Sequence, residues 1–533
     1  MTDFVYWPTS SLERVFPATQ PSTNDCLDLL AARGERVSFQ ACFRNQTSRQ
    51  VNVALSVSAP HDLSATIRRV GCVPVAHHNT DTDPEWDGVG HIPGFIPDPL
   101  FPESTAVVGP MESMSFWISV RVPQGIVEGT RELTARFTVD DQPGGEIKAR
   151  IDVSHFIVGP LKGFPVAHWF YADALCDWYK LEPYEERLWP IIENCMRDLV
   201  EHGGTCQYVP LFTPPTDGVK RPHQLLKVTS KASDTLFAFD FSDVRRWVRL
   251  AQSLGAEFFE WTHFFTQWGA KHAIRVYRDN SDPDSLLWPP ETPATSEVYR
   301  NFLNQFLPRF RMFLESEGLM ETSIFHVSDE PHGDEHLENY RAARAMLKEL
   351  APWMKVSDAL SDIRFGREGL TDVPIASIQT AKQFVDEGIP SFAYFCCGPR
   401  GKYLNRLMDT PLPKIRMAGW LLHRMRALGF LHWGYNYWYK RQTQQMIDPF
   451  TEQSGAAWPG WAYGDPFVVY PGADGPVDSL RWEVWAESLQ DLALLRAAGI
   501  DPDDAMLSEI RDYNEFPKTR DWIIEARRRI LTL

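Results

Sequence analysis

Alternation of apolar and polar positions dominates the first 160 residues. Val37-Ser38-Phe39-Gln40-Ala41-Cys42-Phe43 alternates, and so do residues 51–58, 115–122, 133–139 and 147–157. Period-two runs with turn signals between them predict antiparallel strands that bury one face, hence an N-terminal β-sandwich over residues 1–160. The interval 77–110 breaks the pattern. It is rich in Pro, Asp and Gly and contains Phe95-Ile96-Pro97-Asp98-Pro99-Leu100. It reads as a long loop of the functional or disordered kind, placed to reach an active site.

After Gly163-Phe164-Pro165 the period changes. Short apolar runs at 166–171, 205–212, 257–264, 323–327, 355–359, 375–379, 391–395 and 429–435 alternate with helical stretches at 184–202, 241–254, 297–317, 335–350, 381–388 and 414–428. Eight strands alternating with helices have the size and rhythm of a (β/α)8 barrel, TIM-like, spanning 161–533. The tail from about 480 to 533 reads as a helical extension, with Trp482, Trp485, Leu489 and Leu492 at helical spacing. The fold class is therefore multidomain, β followed by α/β. A doubly wound sheet is the alternative, but no Gly-rich phosphate loop follows the first run.

Composition narrows the function. The 533 residues carry a net charge of −17, which argues against nucleic acid or an anionic membrane surface as partner. No apolar stretch is long enough to span a bilayer. The 19 Trp, 16 Tyr and 32 Phe suit a large core and also suit sugar rings, whose C–H faces pack on flat apolar surfaces. The eight cysteines have no metal-ligand spacing and read as reduced thiols. No basic-then-apolar leader pattern opens the chain, which reads as cytoplasmic, with secretion left open for a chain shortened at its start. No cofactor or metal motif is present. Oligomeric state, a homo-oligomer included, is left open.

Strand ends are where a barrel carries its chemistry. The fourth run ends in Ile324-Phe325-His326-Val327-Ser328-Asp329-Glu330-Pro331, an apolar strand delivering two adjacent carboxylates to its tip. Like charges this close push one pKa up, so one carboxyl can stay protonated while its neighbour is ionised. Other ends offer His168, Trp169 and Asp173; Glu260 and Trp261; and Trp433, Tyr435, Asn436, Tyr437 and Trp438. Asp465 and Tyr470 follow in a loop. This rim of aromatics, amides and acids has the composition of a sugar pocket, with a glycan or glycoside as partner. The seventh end, Tyr394-Phe395-Cys396-Cys397-Gly398, has no carboxylate for a separate nucleophile. An adjacent Asp-Glu pair suits glycoside hydrolysis assisted by the substrate's own 2-acetamido group, an exception to the two-carboxylate scheme. Glu330 would be the acid and Asp329 the partner of the acetamido N–H. Two rivals remain: a two-carboxylate glycosidase pairing Glu330 with Glu260, and a non-catalytic carbohydrate-binding protein.

Four stretches together resemble glycoside hydrolase family 123 and its relatives with the DUF4091 region. They are residues 325–331, Cys396-Cys397-Gly398-Pro399-Arg400-Gly401-Lys402-Tyr403-Leu404-Asn405, residues 429–438, and Gly464-Asp465-Pro466-Phe467-Val468-Val469-Tyr470-Pro471-Gly472. The resemblance covers about 165–495 and implies a β-sandwich plus barrel. It also implies a retaining exo-β-N-acetylgalactosaminidase with Asp329 as stabiliser and Glu330 as acid/base.

Overall fold

The computed structural model describes residues 3–79, 91–214, 221–231 and 235–533. The N-terminal region forms two five-stranded sheets. One runs in the order Phe4–Ser10, Arg36–Asn45, Ser113–Arg121, Ser64–Val75, Gly94–Phe101; the other runs Cys26–Arg33, Gln142–Ile157, Gly129–Val139, Val51–Ser58, Thr105–Val108. Pairing is antiparallel except between Cys26–Arg33 and Gln142–Ile157, which run parallel. Phe39, Phe43, Phe116 and Ile118 of the first sheet share a core with Val53, Leu133, Phe137 and Ile151 of the second. The first sheet is buried on its other face too. Val70, Val73, Ile96, Leu100 and Trp117 belong to the core of the C-terminal region, so this sheet lies between the second sheet and the C-terminal region.

The interval expected to be a loop, 77–110, holds two of these strands, Gly94–Phe101 and Thr105–Val108. Each is the edge of its sheet. Pro97 and Pro99 hid the first, because proline signals a strand break except at an edge, where the missing N–H faces no partner. Residues 80–90 of that interval lie outside the described residues.

The C-terminal region is built on an eight-stranded parallel sheet. Its order is Ser323–Ile324, Phe258–Trp261, Cys206–Val209, Val166–His168, Phe430–His432, Phe392–Tyr394, Ile375–Ser377, Ala359–Leu360. The sheet curls until its ends meet: Phe325 bridges Val356 in parallel, and the Ser357 N–H donates to the Phe325 carbonyl at 2.8 Å. The paired segments are only two to four residues long, shorter than the apolar runs that foretold them.

Helices Trp189–Glu201, Ser242–Leu254, Glu297–Ser316 and Gly333–Leu350 flank the sheet. The stretch expected as one helix over 414–428 is two short ones, Leu412–Arg416 and Ala418–Arg424. Leu480–Ala497 is buried almost all round rather than laid on the surface. A helix without a polar face must sit inside, and this one is wedged between the first N-terminal sheet and the parallel sheet. Its buried charged groups are matched. Arg481 pairs with Asp98 at 3.0 Å, Glu483 with Arg36 and Arg68, and Asp491 with Arg416 and Arg527.

Candidate active site

The C-terminal tips of the parallel strands converge on a cleft of about 160 Å³. Its walls include Trp169, Tyr171, Gln267, Trp268, Asp329, Glu330, Tyr394, Cys396, Cys397, Trp433, Tyr437, Trp461 and Asp465.

Local hydrogen bonding explains why the acidic pair sits there. Buried Phe325 and Val327 anchor the strand. The N–H groups of Val327 and Ser328 both donate to Asp358 Oδ1, at 2.9 and 3.2 Å. The Trp268 N–H donates to the Asp329 carbonyl at 2.8 Å, and the Glu330 N–H donates to the Ala359 carbonyl at 3.0 Å. The tip turns sharply enough to place Glu330 at φ 43°, in the left-handed region that a glutamate rarely adopts. Strand alternation would send neighbouring side chains to opposite faces; the turn instead brings both carboxylates to one cleft.

Each acid has one firm side-chain partner. Gln267 Nε2 donates to Asp329 Oδ2 at 3.0 Å, and the Tyr394 hydroxyl donates to Glu330 Oε1 at 2.8 Å. Burial, and secondarily the Glu330 charge, push the Asp329 carboxyl well above the usual carboxylate range, with Gln267 opposing. Burial also raises the Tyr394 phenol well above its ordinary value, so it remains a neutral donor. Across the cleft, Trp433 Nε1 donates to Asp465 Oδ2 at 2.8 Å, and His432 Nε2 lies 3.4 Å from Asp465 Oδ1. Burial raises Asp465 as well.

Beneath the acidic pair lies a wholly buried charged cluster. His326 Nε2 is 2.8 Å from Glu260 Oε1, and its Nδ1 is 3.6 Å from Asp358 Oδ1. Glu260 Oε1 also accepts from Trp169 Nε1 at 2.7 Å, and Asp358 Oδ2 accepts from the Tyr340 hydroxyl. Burial alone would depress the His326 pKa. Its two carboxylate partners outweigh burial and hold it up at about 10. One imidazolium thus ties a cleft wall, Trp169, to the residue that holds the strand tip, Asp358.

The sequence-chosen residues divide into two sets. Trp169, Asp329, Glu330, Trp433, Tyr437 and Asp465 line the cleft. The others stand behind it. His168 is buried against Arg406 Nη1 at 2.7 Å, and Asp173 is buried with His223 Nε2 at 3.7 Å. Trp261 donates to Ser323 Oγ, and the Tyr435 hydroxyl donates to Asp198 Oδ2 at 2.6 Å. Asn436 clamps the backbone of Tyr171 through both amide atoms, Trp438 donates to the Val469 carbonyl, and the Tyr470 hydroxyl donates to Asp98. Glu260 is fully buried behind Trp169. Gln267, Trp268, Tyr394 and Trp461 were not singled out by the sequence reading. Tyr394 closes the seventh apolar run, and its place at a strand end was the available signal; nothing local marks Gln267 or Trp461.

Two groups bring metal-type ligand atoms within 4.8 Å of one another among the described residues: His263, His326 and Asp358, and Asp198, His202 and Asp478. In the first, Asp358 already accepts from two backbone N–H groups and Tyr340, and His326 faces Glu260. In the second, Asp198 accepts from Tyr435 and Trp482 and His202 contacts Glu483. No described helix is long and apolar enough to cross a membrane.

A curled parallel sheet with a carboxylate-bearing, aromatic-walled cleft at its strand tips fits a glycoside hydrolase. The model of the glycoside hydrolase 123 catalytic domain matches residues 169–498, and the chain belongs to that family. A family 123 glycoside hydrolase from Clostridium perfringens, whose structure is described in the context of glycolipid glycan hydrolysis, superposes with a TM-score of 0.76. Sequence identity is 15%, over 99% of this chain and 97% of that one. Weaker likenesses include a Bacteroides ovatus GH5 xyloglucanase (TM-score 0.31, 10% identity, 81% and 97% of the chains). Another is an Eisenbergiella tayi GH2 beta-galacturonidase (TM-score 0.32, 12% identity, 86% and 70%). A comparison with curated proteins gives no match.

Proposed function

We propose that this protein is a retaining, exo-acting β-N-acetylgalactosaminidase that uses the 2-acetamido group of its substrate as the nucleophile. A (β/α)8 barrel over 161–533 would carry the chemistry and a β-sandwich over 1–160 would brace it. The observation that carries the reading is the joint presence of Asp329 and Glu330 in one small cleft whose third carboxylate, Asp465, is bound to Trp433 and faces His432. Room for on the order of ten waters matches one sugar ring better than an extended glycan.

In this mechanism Glu330, steadied by Tyr394, gives its proton to the glycosidic oxygen as the C1–O bond breaks. The acetamido oxygen attacks C1, and Asp329 accepts the acetamido N–H and stabilises the positive oxazolinium ring. Water then opens that ring, deprotonated by Glu330, so two inversions leave the anomeric configuration retained. Burial, and secondarily the Glu330 charge, favour the protonated form of Asp329. An arriving acetamido N–H favours the ionised form of Asp329, opposing that shift. Trp433 and Trp461, whose rings pack against each other, supply flat apolar surface for the sugar face. The Clostridium perfringens relative suggests glycan chains of glycolipids as the substrate class. The rival that pairs Glu330 with Glu260 fits less well, because Glu260 is sealed behind Trp169.

Hydrolysis of p-nitrophenyl β-N-acetylgalactosaminide, compared with its N-acetylglucosamine and galactose counterparts, tests this. Cleavage of the acetamido sugars only, with a loss on the order of 10²–10⁴-fold in Glu330→Gln for substrates with poor leaving groups, is expected. Equal cleavage of the plain galactoside would rule out the assisted route.

A further inference from the structure

The seventh strand ends where many barrel glycosidases would carry a carboxylate, but here it places two thiols in the wall of the catalytic cleft. Cys396 and Cys397 both line the cleft, beside Glu330 and Asp465, and their sulfurs are 4.0 Å apart. Neither is disulfide-bonded, and both are partly exposed. The loop that carries them is fixed. The Cys396 N–H donates to the Gly398 carbonyl at 3.1 Å, Arg400 Nε donates to the Cys397 carbonyl at 2.6 Å, and Asn405 Nδ2 donates to the Cys396 carbonyl at 3.0 Å. The proposed hydrolysis gives neither sulfur a role.

We propose that Cys396 and Cys397 form a dithiol site that captures trivalent arsenicals and like soft electrophiles, and that its occupation closes the sugar cleft. The hydrogen bond from Cys396, followed by the Arg400 guanidinium, brings the Cys397 thiol down to about 7 against its burial, so a thiolate is available near neutral pH. The reaction balances without an oxidant. In phenylarsine oxide, both As–O bonding pairs leave with oxygen, two As–S bonds form, and the two thiol protons depart with that oxygen as one water. Arsenic stays trivalent. The second As–S bond is intramolecular, which favours this pair over any isolated cysteine by roughly 10²–10⁴-fold. Cys72 is exposed and free. The inference does not depend on which sugar is cleaved, because its primary readout is mass.

The experiment is native mass spectrometry of the full chain titrated with phenylarsine oxide, alongside Cys396→Ser and Cys397→Ser. One adduct per wild-type chain is expected, with about 100-fold weaker uptake in either variant, release by a dithiol but not by a monothiol, and loss of glycosidase turnover in step with adduct formation. Peptide mapping of the wild-type adduct covers the case of a variant that folds poorly: the label must lie on the 396–397 peptide. No adduct on the native wild type, equally tight uptake by folded variants, or a label elsewhere would overturn the proposal. An adduct that leaves turnover intact would overturn the claim that it closes the cleft.

Discussion

Replacing His326 with Gln removes the only cation between Glu260 and Asp358 and leaves both carboxylates in a site closed to water. The unfolded imidazole titrates near 6.5 and the native one near 10, a difference of about 3.5 pH units. At about 1.4 kcal/mol per unit, the shift corresponds to on the order of 5 kcal/mol between the charged and neutral forms of His326. The sign is fixed by the direction of the shift. A raised native pKa stabilises fully below about pH 6.5, and that stabilisation drains away as pH rises towards 10. Urea unfolding of wild type and variant at pH 7, 8 and 9 is the assay. The gap between them should be several kcal/mol at pH 7 and shrink by about 1.4 kcal/mol per pH unit, because only the wild type loses this contribution. A gap that is constant from pH 7 to 9, or below about 1 kcal/mol at pH 7, would show that His326 is neutral in the native protein.

Tyr394→Phe deletes the hydroxyl that donates to Glu330, a bond to a charged group worth about 1.5–3 kcal/mol, so kcat/KM should fall roughly 10- to 150-fold; a change under about twofold would show that the hydroxyl does not steady the acid. Trp433→Ala removes a cleft-wall ring and the Asp465 partner, and should raise KM more than it lowers kcat in steady-state assays. Asp98→Asn leaves Arg481 buried without its counter-charge and should lower the urea midpoint by the equivalent of about 3–5 kcal/mol, while a Tyr470→Phe change at the same carboxylate costs about 1–3 kcal/mol.

The eight-strand rhythm and the acidic pair were legible because each rests on a local signal: apolar runs of strand length, and two carboxylates at the end of one. The ladder itself was less legible. Only two residues of the fourth run pair regularly, since Asp358 draws the next segment's amides aside towards the cleft. Composition could nominate Trp261, Tyr435, Asn436 and Trp438 for a sugar rim but could not say which way they face. Each finds a partner distant in the sequence, from Ser323 to Val469, and those pairings are long-range. The strand Gly94–Phe101 was hidden by its prolines, and with it Asp98, whose partner Arg481 lies 383 residues away. Gln267 reaches Asp329 from a loop whose Trp268, Gly269 and Ala270 all have positive φ, a conformation that sequence alone does not announce.

With Glu330 as the proposed acid, its left-handed backbone sets selection on activity against selection on persistence. A glutamate held there costs about 1–2 kcal/mol relative to a residue without a β-carbon. Glycine at this position would relieve that strain, and asparagine part of it, while removing the acid. Random drift at position 330 therefore runs downhill in folding energy and away from chemistry. Lineages released from the need to cleave glycosides should lose this residue early and gain thermal stability as they do, leaving sturdier sugar-cleft proteins that no longer turn over.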